Sequence, residues 1–247
     1  NLLKIFHLYD ASSVVAALLH DTIEDTDTTY QFIDENFGRE IANLVLGVTD
    51  SSNVTYRTKS EEERFNNAMI LRNMINDFRI IIIKLADRFH NMSTLEYQAP
   101  LKQYNKAIQT LAFYVPFAHG IGARAATRIL EDYCFQYIMK DEYQAIFKKR
   151  NKFIRDNHLQ VDKLCESLFI FLRDQGLDAS FKVRYMNLFN IYNKCSLDGA
   201  LKDVSGLVTI QIVVETKEDC FQVLKLLKQD YSYDEKSFHN YISRPKY

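Results

Sequence analysis

SSVVAALLHDTIED, residues 12–25, is the stretch on which the reading of this chain turns. It opens with alanines and aliphatic residues that suit a buried helix, and it closes with His20, Asp21, Glu24 and Asp25. Read as one helix over Ser12–Asp25, residues four apart share a face, so His20 stacks with Glu24 and Asp21 with Asp25. Leu18 and Leu19 are expected to bury that end of the helix. Charges buried without a partner are costly. A divalent cation would neutralise the carboxylates and accept the imidazole.

A second cluster follows further along. Ile80–Ile83 runs into KLADRFHNMST, Lys84–Thr94, so these polar residues also sit on a mainly buried helix. Asp87 and Asn91 are four apart and share a face. Asp87 is a candidate third metal ligand and Asn91 a candidate substrate contact. A His-Asp pair on one helix with a distant Asp on another is the pattern of HD-type metal-dependent phosphohydrolases. The imidazole and carboxylate set suits Mn²⁺ better than metals that prefer thiolates. Such an ion lowers the pKa of bound water and polarises a phosphoryl oxygen. Glu24 or Asp25 could take the proton from that water. A lone His-Asp pair is more often a surface or capping pair; the second cluster tips the balance. His90 reads as structural, and His119 and His239 as surface or packing residues. Lys102 and Lys106 read as a solvated helix face rather than phosphate contacts, and Glu61–Glu63 as exposed.

The rest of the chain sets bounds. It has 247 residues, 47% of them hydrophobic and 26% charged, with 7 Gly and 3 Pro, a scarcity that favours helices over a turn-rich β fold. The net charge of −1 argues against binding to a nucleic-acid backbone, and no direct contact with DNA is expected. Cys134, Cys165, Cys195 and Cys220 form no C-x-x-C pair, which favours free thiols and a cytoplasmic location. No apolar run reaches the ~18 residues of a membrane span.

Residues 1–150 read as successive helices. A start signal stands at Asp27–Thr29, and its helix runs through Phe32 and Ile33 to Gly38. Further helices are expected over Ile41–Val48, Glu61–Asn76, Phe78–Thr94, Ala107–Ala118 and Thr127–Tyr137, with a polar loop over Asp50–Ser60. Beyond about residue 160 the pattern changes. Leu207–Val214 reads as a buried strand, Asp219–Leu227 as a helix and His239–Ile242 as a short strand. The expected architecture is a mainly α HD-type phosphohydrolase domain over 1–150, then a small α/β domain over 151–247. The boundary is placed in the charged segment Lys148–His158.

Ala16–Thr26 (AALLHDTIEDT) resembles the hydrolase signature of RelA/SpoT homologues, the long bacterial enzymes of the stringent response. Lys84–Thr94 resembles their second signature, with Ser93 where an Arg is more usual. Phe37-Gly38, Gly47-Val48-Thr49, Pro116–Gly122 and Leu130-Glu131-Asp132 also fit, in the right order. The resemblance implies that His20, Asp21 and Asp87 bind Mn²⁺ and that Glu24 and Asp25 are the catalytic acid pair. It implies that Asn91 contacts the nucleotide and that Thr94 lines the same pocket. The implied activity removes the 3′-pyrophosphate of guanosine tetra- and pentaphosphate. The family's remaining metal ligand is a His more than 20 residues before the His-Asp pair. His7 does not match it, so the chain is expected to be a piece of a longer one.

The second half resembles the same family's synthetase, a nucleotidyltransferase-like domain that moves pyrophosphate from ATP to GDP or GTP. Arg184 and Lys194 fit two basic nucleotide-holding positions, and Asp203 fits the Asp that binds Mg²⁺. Met186, Asn190 and Val208 stand where the family has Lys, Ser and a basic residue. Phe238–Lys246 resembles the stretch before a guanine-stacking Tyr. Pyrophosphate transfer is therefore expected to be lost, with Mg²⁺ needed only if it persists. The competing readings are a bifunctional synthetase–hydrolase, a hydrolase regulated by nucleotide binding to the second domain, and a general nucleotide phosphohydrolase. Further C-terminal regulatory domains and ribosome or protein regulators are possible partners by the same resemblance.

Overall fold

The computed structural model describes residues 8–49, 58–195, 204, 206–232, 234–235 and 237–245, without the side chains of residues 59, 60 and 63. It divides into two compact units, Asn1–Tyr143 and Gln144–Tyr247, each taken by itself below.

The first unit is helical. Helix α1 spans Ala11–Leu18, where the Asp10 side chain accepts from the Ser13 amide and caps the start. It does not continue to Asp25 as expected. The Thr22 amide and hydroxyl both donate to the Leu19 carbonyl, at 3.0 and 2.6 Å, and turn the chain into a separate short helix, α2, Thr22–Asp25. Leu18 is correspondingly 78% exposed, against the expectation that it is buried. Helix α3, Tyr30–Phe37, is capped by Thr29 and stops at Gly38, whose φ of 89° favours glycine. Helix α4 spans Arg39–Val48 and helix α5 spans Lys59–Asn76, capped by Thr58. The expected loop over Asp50–Ser60 lies outside the described residues at 50–57, and its last residues open α5.

Helix α6, Arg79–Ser93, is central. Ile80–Ile83, Leu85, Ala86, Phe89 and Met92 are all buried. Helices α1, α4, α5 and, later in the chain, α9 (Arg124–Ile138) pack against it. Gly47 of α4 meets α6 closely: a Cβ there would collide with the Ile80 side chain, 2.9 Å from its Cγ1. Between α6 and α9 lie a short 3₁₀ turn (Leu95–Tyr97), α7 (Pro100–Gln109), a π turn (Thr110–Tyr114) and α8 (Val115–Gly120). Helix α10, Lys140–Asp174, holds the charged segment Lys148–His158 within one continuous helix.

Arg79 ties three helix beginnings together. Its guanidinium lies 2.7 Å from Glu40 in the first turn of α4, 2.7 Å from Asp77, and 3.3 Å from the α1 cap Asp10. The hydrogen bonds from Arg79 hold the Asp77 carboxyl below its ordinary pKa. A depressed carboxylate pKa contributes stability above the unfolded value of about 3.9 and loses it as pH falls through the folded value. Arg79→Met is therefore expected to flatten the decline in urea midpoint below about pH 5. An acid limb identical to that of the unsubstituted protein would refute this role.

The second unit contains β1 (Ala179–Tyr185), α11 (Leu188–Lys194), β2 (Val208–Val214) and α12 (Lys217–Asp230), besides most of α10. The strands pair antiparallel, with Ala179 opposite Val214 and Tyr185 opposite Val208. Phe181, Ile212 and Val214 pack with Leu172, Leu177 and Val223, while Lys182, Arg184, Thr209 and Gln211 on the other face are exposed. Strand β2 is thus half-buried rather than buried on both faces, because the described sheet has two strands and is covered on one side. Strand β1 and helix α11 were not expected, although Ser180–Tyr185 alternates polar and apolar residues. The expected strand over His239–Ile242 is a turn. The Asn240 side chain accepts from the amides of Ile242 and Ser243, a local arrangement that competes with strand pairing. The structure is mainly helical with a small sheet, and the four cysteines are free thiols.

Candidate metal centre

His20 lies in the turn between α1 and α2, Asp21 is the residue before α2, and Asp87 faces them from the middle of α6. His20 Nε2 stands 2.9 Å from Asp21 Oδ2 and 3.5 Å from Asp87 Oδ1. The break at Leu19 makes this possible: the pair occupies a turn between helices rather than a helix face. The Asp87 side chain is 19% exposed and that of Asp21 56%, so the centre opens on the Asp21 side.

His20 Nδ1 lies 2.9 Å from the Ala17 carbonyl, which only accepts, so this nitrogen carries a proton. A neutral ring would then aim the Nε2 lone pair at two carboxylates. Only a proton or a cation between them removes that repulsion. Fixing one ring nitrogen on a backbone carbonyl is also how metal-binding imidazoles are commonly oriented. By its chemistry, a donor set of one imidazole and two carboxylates suits a divalent cation. Among the described residues, no group of three or more His, Cys, Asp or Glu side chains is arranged as it would be around a metal ion. The three groups meet as hydrogen-bonding neighbours. The Asp87 hydrogen bond, helped by the charge of Asp21, raises the His20 pKa against the effect of burial. Burial pushes the Asp87 carboxyl up, but His20, Lys84 and Arg88 together hold it below its ordinary value.

The other sequence-predicted residues fall around this centre in different ways. Asn91 Nδ2 donates to Asp87 Oδ1 at 2.8 Å, so the shared face of α6 is real and Asn91 orients the carboxylate. Glu24 and Asp25 are exposed on α2. The Asp25 amide donates to the Asp21 carbonyl at 2.8 Å, which puts these residues one turn apart. The Glu24 amide donates to the same carbonyl at 3.2 Å, so the backbone here follows a short helix that begins after Asp21. Thr94 closes α6, exposed, with its hydroxyl on the His90 carbonyl. His90 is exposed, and its carbonyl also takes the Ser93 hydroxyl.

Two cations inside the second signature carried no expected role. Lys84 is buried and donates from Nζ to the Val48 carbonyl at 2.9 Å. Arg88 is buried over the Tyr114 ring, 4.2 Å from its centroid, and donates to Tyr114 Oη and Gln109 Oε1 at 3.1 and 3.0 Å. The available signal was their position in an apolar helix, where a cation needs a reason.

In the second unit, Arg184 is exposed on β1 and donates to Gln211 Oε1 at 3.0 Å. Lys194 ends α11, exposed. Met186 packs beside Ile191, Val204 and Leu207. Asp203 lies outside the described residues. Among the described residues no helix is long and apolar enough to cross a membrane.

Residues 2–123 match an HD domain. The chain is 33% identical over 243 residues to a guanosine-3′,5′-bis(diphosphate) 3′-pyrophosphohydrolase of Aquifex aeolicus (strain VF5), covering 96% of this chain and 34% of that protein. A GTP pyrophosphokinase rsh of Brucella suis biovar 1 (strain 1330) is 32% identical over 246 residues, 99% of this chain and 33% of its own length. A probable guanosine-3′,5′-bis(diphosphate) 3′-pyrophosphohydrolase of Synechocystis sp. (strain ATCC 27184 / PCC 6803 / Kazusa) is 32% identical over 239 residues, with 96% and 31% covered. The chain spans about a third of the length of these curated relatives.

Proposed function

We propose, from the premise that this chain belongs to the RelA/SpoT homologue family, that its first unit hydrolyses the 3′-pyrophosphate of guanosine tetra- and pentaphosphate to GDP or GTP and pyrophosphate. The observation that carries this reading is the placement of His20 Nε2 between the carboxylates of Asp21 and Asp87. It is joined by the similarity to the Aquifex and Synechocystis 3′-pyrophosphohydrolases. In this reading His20, Asp21 and Asp87 hold the divalent cation. Mn²⁺ fits a set of imidazole and carboxylates without thiolate. When bound, such a cation polarises a phosphoryl oxygen and acidifies water.

The remaining work falls to the chain's own groups. Glu24 and Asp25, on the turn after the His-Asp pair, accept the proton of the attacking water and return it to the leaving 3′ oxygen. Asn91 holds Asp87 by its amide and faces the nucleotide with Thr94. The test is pyrophosphate release from guanosine tetraphosphate by the purified full-length protein with Mn²⁺. Release that chelation abolishes supports the reading. A protein that binds Mn²⁺ but leaves the substrate intact overturns it, and equal turnover of ordinary nucleoside triphosphates would make it a general phosphohydrolase.

A specific observation also bears on the second unit. Met186, at a position where the family usually has a Lys, is partly buried and packs against Ile191, Val204 and Leu207. Phosphoryl transfer depends mainly on positioning and charge neutralisation. A side chain committed to the core supplies neither. In this reading the second unit is a nucleotidyltransferase-like domain that has lost pyrophosphate transfer, with Arg184, Lys194 and Asp203 as remnants of its nucleotide site. Alarmone made from ATP and GDP in the presence of Mg²⁺ would establish the bifunctional alternative instead.

A further inference from the structure

One buried charge is unused by that chemistry. Lys84 is 7% exposed, within the apolar part of α6 and one turn before Asp87. Its ammonium donates to the carbonyl of Val48, the last residue of α4, at 2.9 Å. A helix end leaves such carbonyls without an intrahelical partner. A neutral donor would serve that purpose at less desolvation cost, since burying an ammonium is expensive unless negative charge compensates it. The compensation lies in the metal centre. Lys84 and Asp87 are three residues apart on α6 and so are neighbours on its surface, and both side chains are sheltered from solvent.

Arg88, four residues on, provides the contrast. It is equally buried, but its guanidinium is spent on Tyr114 and Gln109, joining α6 to the π turn and the end of α7.

We propose that Lys84 is a positioning residue that supplies a fixed, unscreened positive charge beside Asp87, so that a site lined by carboxylates accepts a phosphate-rich anion. The inference rests on the hydrolase reading for its substrate, and it concerns a residue that touches neither substrate nor cation. Asp21 and Asp87 bring two negative charges to His20, and Glu24 and Asp25 follow on the next turn of chain. A divalent cation offsets two of these charges. A buried ammonium adds a third positive charge that salt screens little.

The test uses the full-length protein with Lys84→Gln, which removes the charge but can still donate to Val48, and Lys84→Arg, which keeps the charge. Lys84→Met serves as a second uncharged variant should the glutamine variant not fold. The uncharged variant is expected to raise KM for guanosine tetraphosphate about tenfold with kcat within about threefold. It is expected to bind Mn²⁺ about threefold more tightly without nucleotide, because a charge that repels the cation has gone. Free Mn²⁺ measured by electron paramagnetic resonance reads this independently of activity. Lys84→Arg is expected to keep KM within about threefold.

An unchanged KM in the uncharged variant overturns the proposal. So does Mn²⁺ binding that is unchanged or weakens in step with KM, as a merely structural lysine would give. Should the unsubstituted protein bind Mn²⁺ without hydrolysing guanosine tetraphosphate, the hydrolase reading fails by itself. Lys84 is then decided by the Mn²⁺ titration alone: tighter binding without the charge sustains the proposal, and unchanged or weaker binding overturns it.

Discussion

Asp87→Asn is expected to lower hydrolysis of guanosine tetraphosphate about a thousandfold and to weaken Mn²⁺ binding with it, since a carboxylate ligand becomes a neutral amide. Asp87 is the better-sheltered of the two carboxylates beside His20 and the one that Asn91 holds in place. The amide is nearly isosteric, so the fold should survive and the loss should trace to charge. The double substitution Glu24→Gln with Asp25→Asn provides the contrast. These residues are exposed on α2 and are assigned to proton transfer rather than ligation. Turnover should fall by about 10²–10⁴ while Mn²⁺ binding stays within about twofold. Pyrophosphate release and free Mn²⁺, measured on the same samples, separate the two roles. Near-normal metal binding and turnover in Asp87→Asn would remove the basis of the metal centre.

Leu85→Ala is expected to destabilise the protein by about 2–5 kcal/mol, the range for truncating a fully buried leucine. Leu85 has no exposed surface and lies in the helix around which the first unit packs. Leu18→Ala, in the other signature, should change stability by no more than about 0.5 kcal/mol, because Leu18 already faces solvent. Chemical denaturation of the two variants followed by circular dichroism decides the matter. Equal losses would mean that α1 runs on as the single buried helix its sequence suggests.

The failure at Leu18 shows where reading the chain stops. Ala-Ala-Leu-Leu followed by charge looks like a helix with a polar end, and helical spacing then pairs His20 with Glu24. Thr22 instead breaks the helix with two bonds to the Leu19 carbonyl, and His20 and Asp21 fall in the turn. A similar local competition occurs at Asn240, whose side chain captures two amides that a strand would need. In both places a short polar side chain offers the backbone an alternative that periodicity does not weigh.

From sequence alone came the helical succession of the first unit and the three residues proposed for its centre, His20, Asp21 and Asp87, which the fold brings together. Caps and apolar spacing act over a few residues and are written locally. Sequence also marked Asp87 and Asn91 as neighbours, because one helix carries both. Only the tertiary structure decided that the His-Asp pair sits in a turn, that Met186 packs against Ile191, Val204 and Leu207, and that Lys84 lies buried on the Val48 carbonyl. Those outcomes depend on which distant segments meet, as when α6 brings Lys84 to the last carbonyl of α4, and no local pattern encodes such a meeting.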